Sequence, residues 1–432
     1  MNILIKDILA VLPKSDGSQD FDTRTCSVYI SDGVIASVSS APEGFKADKT
    51  IFGAGKMLIP GLVNAHTHAA MTILRNCADD LLFDDWLFGR VTPLEDKMTA
   101  DDIYWGTTLA IMEMLSTGTT SFIDMYTFMD DLTRAVDKSG IRAVLTRGLI
   151  GSADDPSAGE TRLSEAFDAI ENWKDHDRIS FMLAPHAPYT CDEGFQRIVA
   201  HEAKRLNLPI NTHISEGLAE IDMIRDKYGC TSVELMDRTG LLTDRTIAAH
   251  CVQVSDSDID ILAERGVCVV TNPVSNLKLA NGVAPVPKML KAGVKVALGT
   301  DGASSNNTLN MFRELTMLTL IHKGINHDAL AVTAHEGFAI ATKGGAAAMG
   351  CSDIGEIKPG NIADLVILDL DCPNMQPVND PISALAYSAN GSEVETVMVG
   401  GRIVMENKDF LTIDSGRVYH EISKICDRIG TR

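Results

Sequence analysis

"PGLVNAHTH", residues 60–68, ends an apolar run with two histidines one residue apart. In an extended chain, side chains at i and i+2 share a face, so His66 and His68 project together from one strand end. Two imidazoles so placed can hold a cation such as zinc. A pair of satisfied core histidines reads the same way over this stretch alone. The residues that separate the two readings lie further along the chain.

Downstream, apolar strand-like runs alternate with helical stretches. The runs are 58–68, 119–125, 142–150, 179–187, 209–216, 246–251, 268–276 and 296–302, eight in all. Between them "DDIYWGTTLAIMEMLSTG", "DEGFQRIVAHEAKRLN" and "SDSDIDILAERG" are amphipathic, and several such stretches end in Gly or Asn, as helices do. Eight β/α units with near-continuous apolar strands predict an α/β fold of the (β/α)8 TIM-like barrel type.

The polar residues gather at the strand ends. His66 and His68 end the first run, Asp124 the second, and Arg147 lies late in the third. His186 ends the fourth, His213 and Glu216 the fifth, and His250 the sixth. Asn272 to Asn276 close the seventh and Asp301 the eighth. In such a barrel these ends share one mouth, where active sites sit.

Both chain ends have a different texture. "CSVYISDGVIASVS" and "VETVMVGGRIVMENKDF" read as short strands with tight turns at Asp32-Gly33 and Gly400-Gly401. The expected division is 1–57 as the first part of a small β-sandwich, 58–360 as a metal-dependent barrel, and 361–432 as the second part with a C-terminal helix.

The chain of 432 residues is 45% hydrophobic, enough for a large core. A net charge of −21 would repel nucleic acid. The nine cysteines form no C-x-x-C pair and read as reduced thiols. No signal-peptide pattern is seen, and no run reaches the roughly 18 apolar residues of a membrane span. A cytoplasmic protein without membrane partners is expected.

His213 and Asp301 strengthen the metal reading. Three imidazoles and one carboxylate leave a metal a position for water, whose pKa then falls to about 7, which is hydrolytic chemistry. His250 could hold the hydroxide and the developing oxyanion, or be a core histidine in "IAAHCV". Glu216 could carry a proton to substrate, or be an acid favoured at the start of a helix. Asp301 could serve both as ligand and as acceptor of the water's proton.

"PGLVNAHTH", "NTHISE", "AAHCV", "NPVSNLKLANGVAPV" and "ALGTDGASSNN" together resemble the amidohydrolase superfamily. More closely they are similar to its deaminases of 5′-methylthioadenosine and S-adenosylhomocysteine. The likeness runs from about residue 1 to about residue 405. It implies a metal-dependent barrel with His66, His68, His213 and Asp301 as ligands, Glu216 as proton shuttle and His250 as the base that orients hydroxide. It also gives substrate contacts to Glu95 in "VTPLEDKMT", accepting the ribose hydroxyls, and to His186 in "APHAPYT". Binuclear relatives carry a bridging lysine on the fourth strand; "ISFMLAPHA" has none, so one divalent metal is expected. Zn2+ suits the donors, as do Fe2+ and Mn2+.

Trp86 is either a lid stacked on the purine or a core residue. Arg147 either binds a substrate carboxylate or forms a structural ion pair, and Arg162 is the one further arginine in "GSADDPSAGETR". The expected reaction replaces the 6-amino group of a nucleoside by oxygen. The candidates are 5′-methylthioadenosine, S-adenosylhomocysteine, 5′-deoxyadenosine and adenosine. The alternative is another mononuclear amidohydrolase, acting on guanine, cytosine, a pterin or a triazine; a barrel kept only as a scaffold is a third reading. The loops around residues 77–98 and 151–160 could contact a neighbour in a homo-oligomer, a state the composition does not decide.

Overall fold

The eight apolar runs form eight parallel strands: β1 (Leu62–Thr67), β2 (Thr119–Tyr126), β3 (Arg142–Leu149), β4 (Ile179–Pro185), β5 (Ile210–Ile214), β6 (Thr246–His250), β7 (Cys268–Thr271) and β8 (Lys295–Leu298). The computed structural model describes residues 1–14 and 20–431; residues 15–19 of the first sandwich segment and Arg432 lie outside them. The strands pair in chain order from β1 to β8. Every residue of β1, β2, β5, β6 and β7 is buried, which explains why these strands read as unbroken apolar runs and not as alternating ones.

The ring comes together at the seam of β8 and β1. There the Asp301 N–H donates to His66 O at 3.0 Å and the Thr300 N–H to Asn64 Oδ1 at 3.0 Å. Gly299 permits this approach. A Cβ at that position would lie 2.5 Å from Asn272 Oδ1 and 2.9 Å from the His66 nitrogen.

Several strands are shorter than expected. The run 58–68 is two strands: Lys56–Pro60 belongs to the other sheet, and Gly61 separates it from β1. The seventh run stops at Thr271. Pro273, whose ring suits the first helical position, starts the helix Pro273–Lys278. Asn276 is therefore helical, and Asp301 lies in the turn beyond β8.

Both chain ends build one nine-stranded mixed sheet. Lys56–Pro60 joins its halves by pairing antiparallel with Leu365–Asp369. The Asp32-Gly33 turn has φ of 48° and 85°, both left-handed, as a type I′ hairpin requires. At the far edge Val34 bridges Ile362, so the sheet returns on itself over a core that includes Ile3, Ile30, Leu58, Leu365 and Met398. This is the expected sandwich.

The C-terminal helix Ser415–Ile429 packs on the barrel helix Ala100–Ser116. Arg428 pairs there with Asp102, and Lys97 Nζ donates to Ile429 O at 3.0 Å. Among the described residues, no helix is long and apolar enough to cross a membrane.

Candidate active site

The C-terminal strand ends open on a cavity of about 550 Å³, lined by His68, Trp86, Glu95, Arg147, His186, His213, Glu216, His250 and Asp301. His66 is fully buried behind it. These residues come from the ends of β1, β3, β4, β5, β6 and β8 and from the covering segment before residue 98. Asp124, the strand-end acid of β2, does not line the cavity. It accepts the Thr67 hydroxyl at 2.7 Å and the Ala69 N–H at 2.6 Å, so it braces the turn that follows His68. Burial lifts its carboxyl to about 6.

Two backbone carbonyls orient the imidazoles. His68 Nδ1 donates to Met125 O and His213 Nδ1 to His186 O, each at 2.7 Å. With those protons committed, both Nε2 atoms turn inward, and they stand 3.3 Å apart. Asp301 Oδ1 lies 3.3 Å from His68 Nε2 and 3.5 Å from His66 Nε2. Among the described residues, His66 has no hydrogen-bond partner on either buried ring nitrogen. A buried polar atom left in this way is costly unless a ligand satisfies it.

These residues fit one metal ion. His66, His68 and His213 each offer a ligand atom within 4.8 Å of the others, and so do His66, His250 and Asp301. Ring nitrogens oriented by carbonyl acceptors are the usual outer support of such a centre. Burial holds His66 down to about 4, and burial with the neighbouring imidazoles holds His213 well below its usual range. Burial also opposes a proton on His68, but the Asp301 carboxylate outweighs it and lifts that pKa to about 9. Asp301 is itself buried, yet the imidazoles of His66 and His68 beside it hold it well below the carboxylate range.

The other cavity groups are also braced. Asp301 Oδ2 accepts the hydroxyls of Ser275 at 2.6 Å and Ser305 at 2.7 Å. Glu216 Oε1 accepts Asn281 Nδ2 at 3.1 Å, and its Oε2 lies 3.9 Å from His250 Nε2. Burial raises the Glu216 carboxyl, which favours a proton on it. His186 Nδ1 meets the Thr190 hydroxyl at 3.0 Å, and burial pushes its pKa down to about 3.

His250 has φ of 74° and Asp301 of 63°, left-handed values that cost a non-glycine residue of order 1–3 kcal/mol each. Such strain collects where a side chain must be aimed off the line of its strand.

At the outer rim, Arg147 Nε donates to Glu165 at 2.7 Å, and Arg162 Nη1 donates to the carbonyls of Ile150 at 3.3 Å and Ala158 at 3.2 Å. Trp86 is 7% exposed, lines the cavity, and donates its indole N–H to Ser304 O at 3.3 Å. It is therefore a buried residue that also faces the cavity. Sequence reasoning gave no role to Tyr126, Ser275, Asn276, Asn281 or Ser305, although the range Asn272 to Asn276 reads as a polar strand end. The last four lie in "NPVSNLKLANGVAPV" or "ALGTDGASSNN", where amide and hydroxyl side chains directly after strands were the available signal.

Residues 57–404 match the amidohydrolase family. The chain is 45% identical to the 5-methylthioadenosine/S-adenosylhomocysteine deaminase of Acetivibrio thermocellus over 99% of its length and 100% of the relative's. Among solved structures, a zinc-bound adenosine deaminase from Xanthomonas campestris superposes with a TM-score of 0.94 at 35% identity, covering 100% of this chain and 99% of the other. The zinc-bound atrazine chlorohydrolase of Arthrobacter aurescens superposes at 0.91 with 22% identity, covering 98% and 99%, a likeness of fold. The family match spans the strand carrying His66 through the turn carrying Asp301, and the chain therefore belongs to the amidohydrolase family.

Proposed function

We propose that the chain is a hydrolytic deaminase of adenosine derivatives, dependent on one divalent metal, zinc being the first choice. The observation that carries this reading is one cavity wall. A buried carboxylic acid, Glu216, with one oxygen held by Asn281 and the other facing His250, stands beside a His/Asp cluster shaped for a cation. The 45% identity to a 5-methylthioadenosine/S-adenosylhomocysteine deaminase supports the choice of substrate class.

His66, His68, His213 and Asp301 would hold the metal, which when bound lowers the pKa of water toward 7 and so supplies a nucleophile. The chain's own groups do the rest. His250 accepts a hydrogen bond from the attacking water through its bare Nε2 and aims the oxygen at C6. Glu216 protonates ring N1 from Oε2, so that negative charge does not build on the purine. Asp301 takes one proton of the water and passes it to the 6-amino group, which leaves as ammonia when the C6–N6 bond breaks. The second water proton replaces the one Glu216 gave. Glu95 accepts the ribose hydroxyls, His186 contacts the nucleoside, and Trp86 covers the purine. Arg147 and Arg162 stand at the rim, on the side of the 5′ substituent.

The test is the zinc-loaded chain against 5′-methylthioadenosine, S-adenosylhomocysteine, 5′-deoxyadenosine and adenosine, read by loss of adenine absorbance and release of ammonia. Turnover of guanine or a triazine alone, or of nothing despite full metal occupancy, would overturn the reading.

A further inference from the structure

Tyr126 is the last residue of β2, and Glu95 ends the short helix Thr92–Glu95 in the segment that covers the cavity. The Tyr126 hydroxyl donates to Glu95 Oε1 at 2.5 Å, and among the described residues Glu95 accepts no other hydrogen bond on its side chain. Both residues line the cavity. Tyr126 is 8% exposed, and burial with the Glu95 carboxylate beside it keeps the phenol well above its usual pKa, so it stays the donor.

The last torsion of a glutamate is broad and two-fold, and a helix of four residues does little to choose among its settings. The phenol makes that choice from the barrel side. A carboxylate has about four acceptor positions. Tyr126 occupies one on Oε1, leaving the second position there and the whole of Oε2 for ligand. Two adjacent acceptors held in one plane match a vicinal diol. Arg147 is the β3 residue in register with Tyr126, but its guanidinium is turned to Glu165, so it does not compete for the Glu95 carboxylate.

We propose that Tyr126 is a positioning residue for sugar recognition: it sets the plane of the Glu95 carboxylate so that both oxygens meet the 2′- and 3′-hydroxyls of ribose, and it thereby enforces selection against 2′-deoxynucleosides. The inference rests on Glu95 as the ribose acceptor. A site built around both hydroxyls loses more with a substrate lacking one, because a desolvated carboxylate oxygen is left without its donor. Freeing the carboxylate to rotate removes that penalty along with the affinity for ribose.

The experiment compares kcat/KM for 5′-methylthioadenosine and its 2′-deoxy analogue in the zinc-loaded wild type, Tyr126→Phe and Glu95→Gln. In Tyr126→Phe the ribonucleoside is expected to lose about tenfold in kcat/KM, mainly through KM, while the 2′-deoxy analogue changes little. The selectivity ratio then falls about tenfold. Equal losses on both substrates, with the ratio kept, would mean that Tyr126 is only structural. Collapse of the ratio in Glu95→Gln but not in Tyr126→Phe would overturn the role of Tyr126 and leave Glu95 standing. An unchanged ratio in Glu95→Gln would overturn both.

Discussion

His250 Nδ1 and Asn276 Oδ1 lie 2.8 Å apart, and both side chains are buried. An amide oxygen only accepts, so this contact favours the proton on Nδ1 and a bare Nε2 toward Glu216, while the Asn272 amide Nδ2 stands further from the same Nδ1, at 3.4 Å. Asn276 thus selects the tautomer that can receive a hydrogen bond from the attacking water. Asn276→Leu removes the acceptor at similar size. It is expected to lower kcat by about 10–100-fold, the usual cost of losing such an outer partner, with metal content unchanged. Steady-state kinetics with elemental analysis checks this; a wild-type kcat would detach the contact from catalysis.

Glu216 is held from behind as well as from the front. Glu220 accepts the N–H groups of Ser215 at 2.8 Å and Glu216 at 3.0 Å, and the Ser232 hydroxyl at 2.6 Å. Ser215 itself is left-handed, with φ of 52°, so Glu220 braces the turn that aims Glu216 into the cavity. Glu216→Gln keeps the shape and loses the transferable proton. A fall in kcat of about 10²–10⁴-fold with metal retained is expected. Turnover at the wild-type rate would take Glu216 out of the mechanism.

The facing Nε2 atoms of His68 and His213 imply that ligand removal acts on occupancy before it acts on rate. His213→Ala is expected to lose metal and activity together, and a chelator is expected to abolish activity that added zinc restores. Because a cation binds only the folded site, zinc should also raise Tm, by an amount that grows with its concentration above Kd. Full metal occupancy in His213→Ala would refute this ligand set.

Much of this site was legible because parallel strands buried on both faces write themselves as apolar runs, and the polar residues that end most of them line one cavity. His66, His213 and Asp301 needed nothing more. Run lengths were less legible. An apolar run crosses Gly61 without a break in hydrophobicity, although the backbone changes sheets there. The seventh run continues past Thr271 in composition while Pro273 turns it into a helix. Tyr126, Asn276 and Asn281 were out of reach for another reason: each acts on a side chain carried by a different strand or segment, and only closure of the barrel brings the partners together. The partner of Arg147 was open in sequence, and Glu165 supplies it from the following helix, Pro156–Trp173.

Arg142 at the start of β3 and Asp364 before Leu365–Asp369 fasten the barrel to the sandwich. The Nε–Oδ2 distance is 2.7 Å and the Nη2–Oδ1 distance is 3.2 Å, with both residues nearly fully buried. Asp364 also accepts the Gly400 N–H at 2.6 Å. Removing one partner strands the other charge in the interior. Asp364→Ala is expected to cost about 3–5 kcal/mol in chemical denaturation. A loss below about 1 kcal/mol would show that water reaches the arginine once the acid is gone.

Glu314 ties the helix Pro273–Lys278 to the loop that follows Asp301. It accepts the Val274 N–H at 3.1 Å and Asn306 Nδ2 at 2.6 Å, and it is fully buried. Burial outweighs these bonds and pushes its carboxyl up to about 8. A carboxyl whose folded pKa is raised binds its proton more tightly in the native state than in the unfolded chain. Its contribution to stability is therefore fully present below the unfolded value of about 4.5 and is lost as pH rises through about 8. Glu314→Gln is neutral throughout and lacks that slope. The Tm of wild type minus that of Glu314→Gln is expected to fall by a few degrees between about pH 5 and about pH 8.5, whatever its starting sign. Thermal melts of both proteins across that range give the answer. A difference that stays constant would mean that Glu314 is already ionised in the fold at pH 5, with its two donors sufficient to hold the charge.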